Sequence, residues 1–188
     1  MLASASPRRQ ELLRAAGISF EVQPANLPEI PQPDESPRSF AERMAQEKAL
    51  AIASLRTNDF ILGADTIVIV DRQILGKPHD LSDAARMLRL LSGRSHEVIT
   101  AVCLLDPKHK TESHTDVRSE STLVTMDDLS EPEILSYAAT GEPMDKAGAY
   151  AIQGRASRWI PRIEGDYANV VGLPVSLVFK MLKEHGAV

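Results

Sequence analysis

Strand-like apolar runs alternate with helix-start signals along the whole chain, and this alternation limits the fold more than any other feature. Ser6-Pro7, Ser36-Pro37 and Ser130-Glu131-Pro132-Glu133 each open a helix. The serine caps free N–H groups, and proline loses nothing at the first helical positions. The spacing predicts helices over 7–16, 37–55, 82–91 and 131–140, and a last one after Pro174, with Gly17, Gly93 and Gly141 as closing residues. Strands are expected over 1–5, 18–22, 60–63, 66–70, 96–105, 149–153 and 159–163. Residues 24–37 hold Pro24, Pro28, Pro31, Pro33 and Pro37, too many for regular structure. After Asp106-Pro107-Lys108 a polar, alternating stretch up to Thr125 reads as the exposed arm of a hairpin. Repeats, low-complexity tracts and linkers are absent, so the chain reads as one domain, residues 1–188, that is α/β, or α+β with a mixed sheet.

Composition narrows the partners. Hydrophobic residues make up 43%, enough for a real core, and aromatics only 4%, which implies aliphatic packing. A net charge of −5 leaves no broad basic surface for nucleic acid or an anionic membrane. Any anionic ligand needs a local pocket. Apolar stretches such as Ile67-Val68-Ile69-Val70 are too short to span a bilayer. No apolar signal region precedes Arg8 and Arg9, and the single cysteine, Cys103, forms no intrachain disulfide, so the expected compartment is cytoplasmic.

Within Ser4-Ala5-Ser6-Pro7-Arg8-Arg9, two cations stand in the first turn of a helix, against the positive end of its dipole. A bound anion reverses the sign, because free N–H groups, the Ser6 hydroxyl and two guanidinium forks then converge on it. Phosphate is the natural candidate. Read alone, the same pair is two solvated arginines on an amphipathic helix.

Three further patches carry candidate chemistry. Asp65, in Leu62-Gly63-Ala64-Asp65-Thr66, falls between two apolar strand segments and is expected at a strand end or bulge, a position that borders clefts in α/β proteins. A turn-forming Asp beside a Thr reads equally well there. Lys77, in Gly76-Lys77-Pro78, is either an aimed ammonium or a surface lysine in a turn; the P-loop spacing is missing. Gln153, among the small residues of 146–154, pairs a donor with an acceptor and can read a base edge, or it faces water on an edge strand. His79, His96, His109, His114 and His185 show no zinc-like spacing. For a hard cation shared with ligand phosphates, Asp65 and Glu29 are the candidate ligands.

Taken in order, these patches resemble the Maf family of nucleoside triphosphate pyrophosphatases. The matching stretches run from Leu2 to Leu13, through Gln46-Glu47-Lys48-Ala49, Gly63-Ala64-Asp65-Thr66, Gly76-Lys77-Pro78 and Leu91-Ser92-Gly93, to 146–154 and 169–174. The resemblance implies an α/β fold of the Maf and inosine triphosphate pyrophosphatase type, with two lobes around a central cleft. It also implies hydrolysis of a nucleoside triphosphate to monophosphate and diphosphate with Mg²⁺ or Mn²⁺, and a homodimer. The family branch acting on dTTP and UTP is similar to this chain in carrying Arg8, Thr66 and Gln153. The branch acting on 7-methyl-GTP has a tryptophan, a glutamine and a glutamate in those places. Two departures stand out: Met1 directly precedes Leu2, shortening the first strand, and the acidic cluster of the proline-rich loop is reduced to Pro28-Glu29.

The implied roles follow. Asp65 is the catalytic carboxylate, orienting or deprotonating water, and shares a divalent metal with Glu29. Arg8, Arg9, Lys48 and Lys77 neutralise the triphosphate, Ser6 and the helix start hold a phosphate, and Thr66 and Gln153 select the base. A nucleotide-binding regulator of cell division, with incidental hydrolysis, is the alternative that the same pocket would serve.

Overall fold

The computed structural model describes residues 1–108 and 115–188. Its strands are β1 (Ile61–Val70), β2 (Gln73–Leu75), β3 (Ser95–Leu105), β4 (Thr115–Thr125) and β5 (Arg162–Glu164). They are hydrogen-bonded in the order β2-β1-β3-β4-β5. The β1–β2 and β4–β5 pairs are antiparallel, with Val70 opposite Gln73 and Thr125 opposite Arg162. The helices are α1 (Pro7–Ala15), α2 (Pro37–Ala53), α3 (Leu81–Leu91), α4 (Glu131–Ala138), α5 (Tyr167–Val171) and α6 (Val175–Glu184). The class is α/β. Residues 109–114, where the expected hairpin turns, lie outside the described residues. Two compact units divide the chain: residues 1–66, 100–120 and 172–188 form the first, and 67–99 with 121–171 the second.

The first unit holds α1, α2, α6 and the opening residues of β1. Its core is Leu2, Leu13, Leu62, Ala64, Val102, Leu104, Leu173, Val178, Met181 and Leu182. Helix α1 starts as its sequence dictates: Ser6 Oγ accepts from Arg9 N–H at 3.5 Å with Pro7 at the first position. Gly17 then takes φ +70°, the left-handed conformation that ends a helix. The strands expected over 1–5 and 18–22 shrink to single bridges. Leu2 pairs in parallel with Val22 on one side and Leu62 on the other. Only residues 1–3 thread between those segments, with Ala3 N–H donating to the Leu62 carbonyl at 2.9 Å, because Ser6-Pro7 turns the chain into a helix at once.

Where two strand segments are expected around Gly63-Ala64-Asp65, β1 is one continuous strand. Asp65 is therefore a mid-strand residue, not a strand end. Gly63 explains the misleading pattern. A Cβ there would stand 2.1 Å from the Ala45 carbonyl oxygen and 2.9 Å from the Ala49 amide nitrogen. The glycine marks close approach of α2 to β1, not a turn.

In the second unit the core joins Val68, Leu75, Ala84, Leu88, Leu91, Val98 and Val124 to Tyr137, Tyr150 and Trp159. Helix α3 is capped by Asp80, whose Oδ1 accepts from Asp83 N–H at 2.7 Å, and it packs against α4. Ser130 and Glu133 form the expected capping box. Residues 149–153 are not a strand. Two short 3₁₀ turns (Ala147–Ala149 and Arg155–Trp159) flank a turn at 152–154, and strand structure resumes only at Arg162. The cause is local: Gly148 and Ala149 have φ +70° and +61°, values a strand excludes. A Cβ on Gly148 would stand 2.9 Å from Val68 Cγ2, so the small residues here serve close packing. No helix among the described residues is long and apolar enough to cross a membrane.

Candidate functional site

Helix α2 buries one face, formed by Phe40, Ala41, Met44, Ala45, Lys48, Ala49 and Ile52. The i, i+4 spacing of 44, 48 and 52 puts the Lys48 ammonium on that face. A buried ammonium needs counter-charge, since taking it out of water is costly. It has two: Nζ donates to Asp65 Oδ1 and to Glu29 Oε1, each at 2.6 Å. Asp65 comes from the middle of β1 and is 4% exposed. Glu29 comes from the proline-rich loop and is exposed on its outer side. The two residues expected to ligate a metal thus converge on a single cationic point.

The loop bearing Glu29 is fixed by α2 as well. Arg43 grips Glu35 through two hydrogen bonds, at 2.7 and 2.8 Å, and donates to the Ile30 carbonyl at 3.0 Å. That grip holds the Glu35 carboxyl down at about 2. One arginine therefore ties both flanks of the segment after Glu29, which Pro31 and Pro33 already stiffen.

Arg9 is turned inward, and it is only 9% exposed. Its Nε donates to the Gly172 carbonyl at 2.8 Å, Nη1 to Ser4 Oγ and the Ala64 carbonyl at 2.9 Å each, and Nη2 to Thr66 Oγ1 at 3.0 Å. Burial lowers its pKa from the usual range, while the charges of Asp65 and Glu29 pull it back up. Arg9 bonds the peptide immediately before Asp65 and the hydroxyl immediately after it. Thr66 Oγ1 lies 3.0 Å from Thr100 Oγ1 and donates weakly to the Gly172 carbonyl at 3.4 Å. Ser6 and Arg8, at the start of the same helix, are half-buried.

Asp65 sits under opposed influences. Burial pushes its carboxyl above the usual range, and the ion pair with Lys48, the hydrogen bond from Lys48 and the charge of Arg9 pull it back. A carboxylate of raised basicity beside fixed cations can accept a proton from water and hold it. The other expected residues, Lys77 and Gln153, belong to the second unit, where both are exposed.

Sequence reasoning missed three participants: Ser4, Thr100 and the carbonyl of Gly172. Ser4 opens the 4–9 stretch but takes no part in the anion site expected there, and Thr100 carries no motif signal; both are buried polar residues. The Gly172 carbonyl is a backbone group, invisible to any reading of side chains. Its residue has φ +128°, and a Cβ there would stand 3.6 Å from Thr66 Oγ1 and 3.9 Å from Arg9 Nε. Glycine suits that strained conformation beside the two polar groups.

The sequence matches a known family over nearly all of its length. The family model described as Maf-like protein matches residues 1–185. This chain belongs to the Maf family. A Koribacter versatilis relative named dTTP/UTP pyrophosphatase is 53% identical over 186 residues, covering 99% of this chain and 94% of the relative. A relative of the same name from Syntrophomonas wolfei is 53% identical over 185 residues, covering 98% and 96%. One from Citrifermentans bemidjiense, again of that name, is 51% identical over 187 residues, covering 100% and 95%. Among solved structures, a nucleoside-triphosphatase (dITP/XTP pyrophosphatase) from Mycobacterium abscessus aligns with a TM-score of 0.39 at 20% identity, covering 68% of this Maf chain and 74% of that one.

Proposed function

We propose that this Maf chain hydrolyses dTTP and UTP at the anhydride between the α and β phosphates, giving the nucleoside monophosphate and diphosphate. The carrying observation is the Lys48 ammonium, 2.6 Å from both Asp65 and Glu29, inside a chain about half identical to relatives named dTTP/UTP pyrophosphatase.

Donor chemistry supports a divalent cation here. Two hard carboxylates gathered by the Lys48 ammonium, each bonded to it through one oxygen, are donors of the kind Mg²⁺ or Mn²⁺ takes, with phosphate oxygens and water completing the shell. Asp65 and Glu29 would hold the cation, and it would supply charge neutralisation at the phosphates.

The chain's own groups do the rest. Asp65, ionised beside Lys48, takes the proton of the attacking water as its oxygen bonds phosphorus and the diphosphate leaves, and Lys48 holds the carboxylate in place. Arg9 fixes Asp65 by bonding the Ala64 carbonyl before it and the Thr66 hydroxyl after it. Arg8, with Ser6 at the helix start, binds phosphate. Lys77 is assigned to the triphosphate and Gln153 to the pyrimidine edge on the motif resemblance, with Arg8 and Thr66 completing the set that separates the pyrimidine branch. An amide can meet both a carbonyl and an N–H of a uracil or thymine face, whereas a carboxylate cannot donate.

Purified chain with Mg²⁺ or Mn²⁺, a panel of triphosphates and a measurement of released diphosphate tests this reading. dTTP and UTP should lead the panel, and Asp65→Asn should lower kcat by about a hundredfold or more. Gln153→Glu should lower kcat/KM for dTTP and UTP far more than for other triphosphates. A preference for 7-methyl-GTP, or an Asp65→Asn enzyme within a few-fold of wild type, would overturn it.

A further inference from the structure

The turn that carries Gln153 is braced by two residues to which no role has been given. Ala151 N–H donates to the Tyr137 hydroxyl at 3.0 Å on one side of Gln153. On the other side Arg155 N–H donates to Glu142 Oε1, also at 3.0 Å. Tyr137 closes the circuit by donating its own proton to Glu142 Oε1 at 2.8 Å. Tyr137 is 1% exposed, and it packs edge-on against Trp159 with ring centroids 5.4 Å apart, so its hydroxyl cannot wander. The backbone of Glu142 is tied in turn, its carbonyl accepting from Lys146 Nζ at 2.6 Å.

Gly154 belongs to the same device. A Cβ on it would stand 2.4 Å from Glu142 Oε1 and 2.7 Å from Cδ. Its φ of −104° is open to any residue, so conformation does not require glycine. Space for the Glu142 carboxylate does.

We propose that Glu142 and Tyr137 are positioning residues for base recognition: through Ala151 and Arg155 they fix the backbone on both sides of Gln153, and Gly154 leaves room for the carboxylate that does so. Without the brace, the turn at 152–154 keeps Gln153 but loses the frame that aims it. A displacement near 1 Å in a positioning group is enough to cost a large factor in recognition. The inference rests on the base-selecting role proposed above for Gln153.

The test compares full-length wild type with Glu142→Ala, Glu142→Gln, Tyr137→Phe, Gly154→Ala and Gln153→Ala. For each, KM and kcat are measured with dTTP, UTP and GTP, and Tm is recorded. Glu142→Ala, Tyr137→Phe and Gly154→Ala should each raise KM for dTTP and UTP about tenfold, with kcat within about threefold and GTP little affected. Glu142→Gln keeps an acceptor oxygen and should restore most of the dTTP preference. Because both changes dislodge one carboxylate, Gly154→Ala should add little to Glu142→Ala. If Gln153→Ala loses the pyrimidine preference while the brace variants keep it, the brace is wrong and the role of Gln153 stands. If Gln153→Ala keeps the preference, both readings fall. Equal losses for all three nucleotides, tracking Tm, would reduce Glu142 and Tyr137 to structural residues and overturn the proposal.

Discussion

Lys48 Nζ stands 2.6 Å from Asp65 Oδ1, on a helix face whose other buried residues are Phe40, Ala41, Met44, Ala45, Ala49 and Ile52. A charge on an otherwise apolar stripe is tolerated only because a strand residue and a loop residue reach it from outside the helix. The pair therefore links packing to chemistry: the contact that compensates a buried ammonium also sets the basicity of the proposed catalytic carboxylate.

Removing Lys48 should expose this dependence. In Lys48→Met the shape of the α2 face is kept, but Asp65 loses its nearest cation. Diphosphate release should become nearly undetectable, and chemical unfolding at pH 7 should show a loss of about 3 kcal/mol from the unpaired buried carboxylate. Burial already holds the Asp65 carboxyl above its ordinary 3.8, and the substitution raises it further. The native state then binds a proton more tightly than the unfolded state, so the variant should recover stability as pH falls. A variant as stable as wild type at pH 7 would contradict the buried-pair account.

Gly63→Ala should damage both stability and activity. Its new methyl group meets the Ala45 carbonyl oxygen at 2.1 Å, a backbone atom that cannot rotate away. Either β1 or α2 must move, at a cost of about 3 kcal/mol or more. Since the movement separates the elements that carry Asp65 and Lys48, kcat should fall beyond what partial unfolding explains. Thermal melts and diphosphate release at a temperature where the variant remains folded measure the two effects.

Arg43→Ala should act through the metal requirement. Arg43 ties Ile30 and Glu35 and so holds the segment after Glu29. With that tie cut, the Mg²⁺ concentration giving half-maximal rate should rise about tenfold, as is usual when a residue supporting a metal ligand is lost. At saturating Mg²⁺ most of kcat should return. An unchanged Mg²⁺ titration would show that Glu29 does not depend on Arg43.

His96 should make the second unit acid-sensitive. The ring is 2% exposed and its Nδ1 has no hydrogen-bond partner, while Nε2 lies 2.7 Å from the Tyr150 hydroxyl. Burial pushes its pKa from 6.5 down to about 4. Between those values the unfolded chain binds a proton that the native chain refuses, so stability is present above 6.5 and is lost as pH falls toward 4. The loss should approach about 3 kcal/mol at the low end. Urea unfolding from pH 7 to pH 4 measures it, and His96→Gln should flatten that part of the profile.

Much of the fold is legible in short stretches of sequence, because helix ends are local chemistry. Ser6-Pro7, Ser36-Pro37 and Ser130 with Glu133 start α1, α2 and α4 where their hydroxyls and prolines dictate. Asp65 is legible too, as an unusual polar residue in apolar surroundings, while Lys48 is legible only through the family stretch Gln46-Glu47-Lys48-Ala49. What cannot be read locally is which residue each one meets. Gly63 looks like a break between two strand segments, yet it records the close approach of a distant segment at Ala45, and Gly148 both turns the chain at φ +70° and admits Val68. Arg9 looks like a cation waiting for an anion, and tertiary structure gives it the carbonyls of Ala64 and Gly172. By itself the sequence determined where α1, α2 and α4 begin, which patches are chemically special and which family the chain resembles, since these depend on residue type and spacing, whereas α5 is not expected from it. Only the tertiary structure decided that Glu29, Lys48 and Asp65 share one point and that Glu142 underlies the Gln153 turn. Those facts depend on contacts between residues 17 and 19 positions apart in one case and 13 in the other, and no local propensity encodes them.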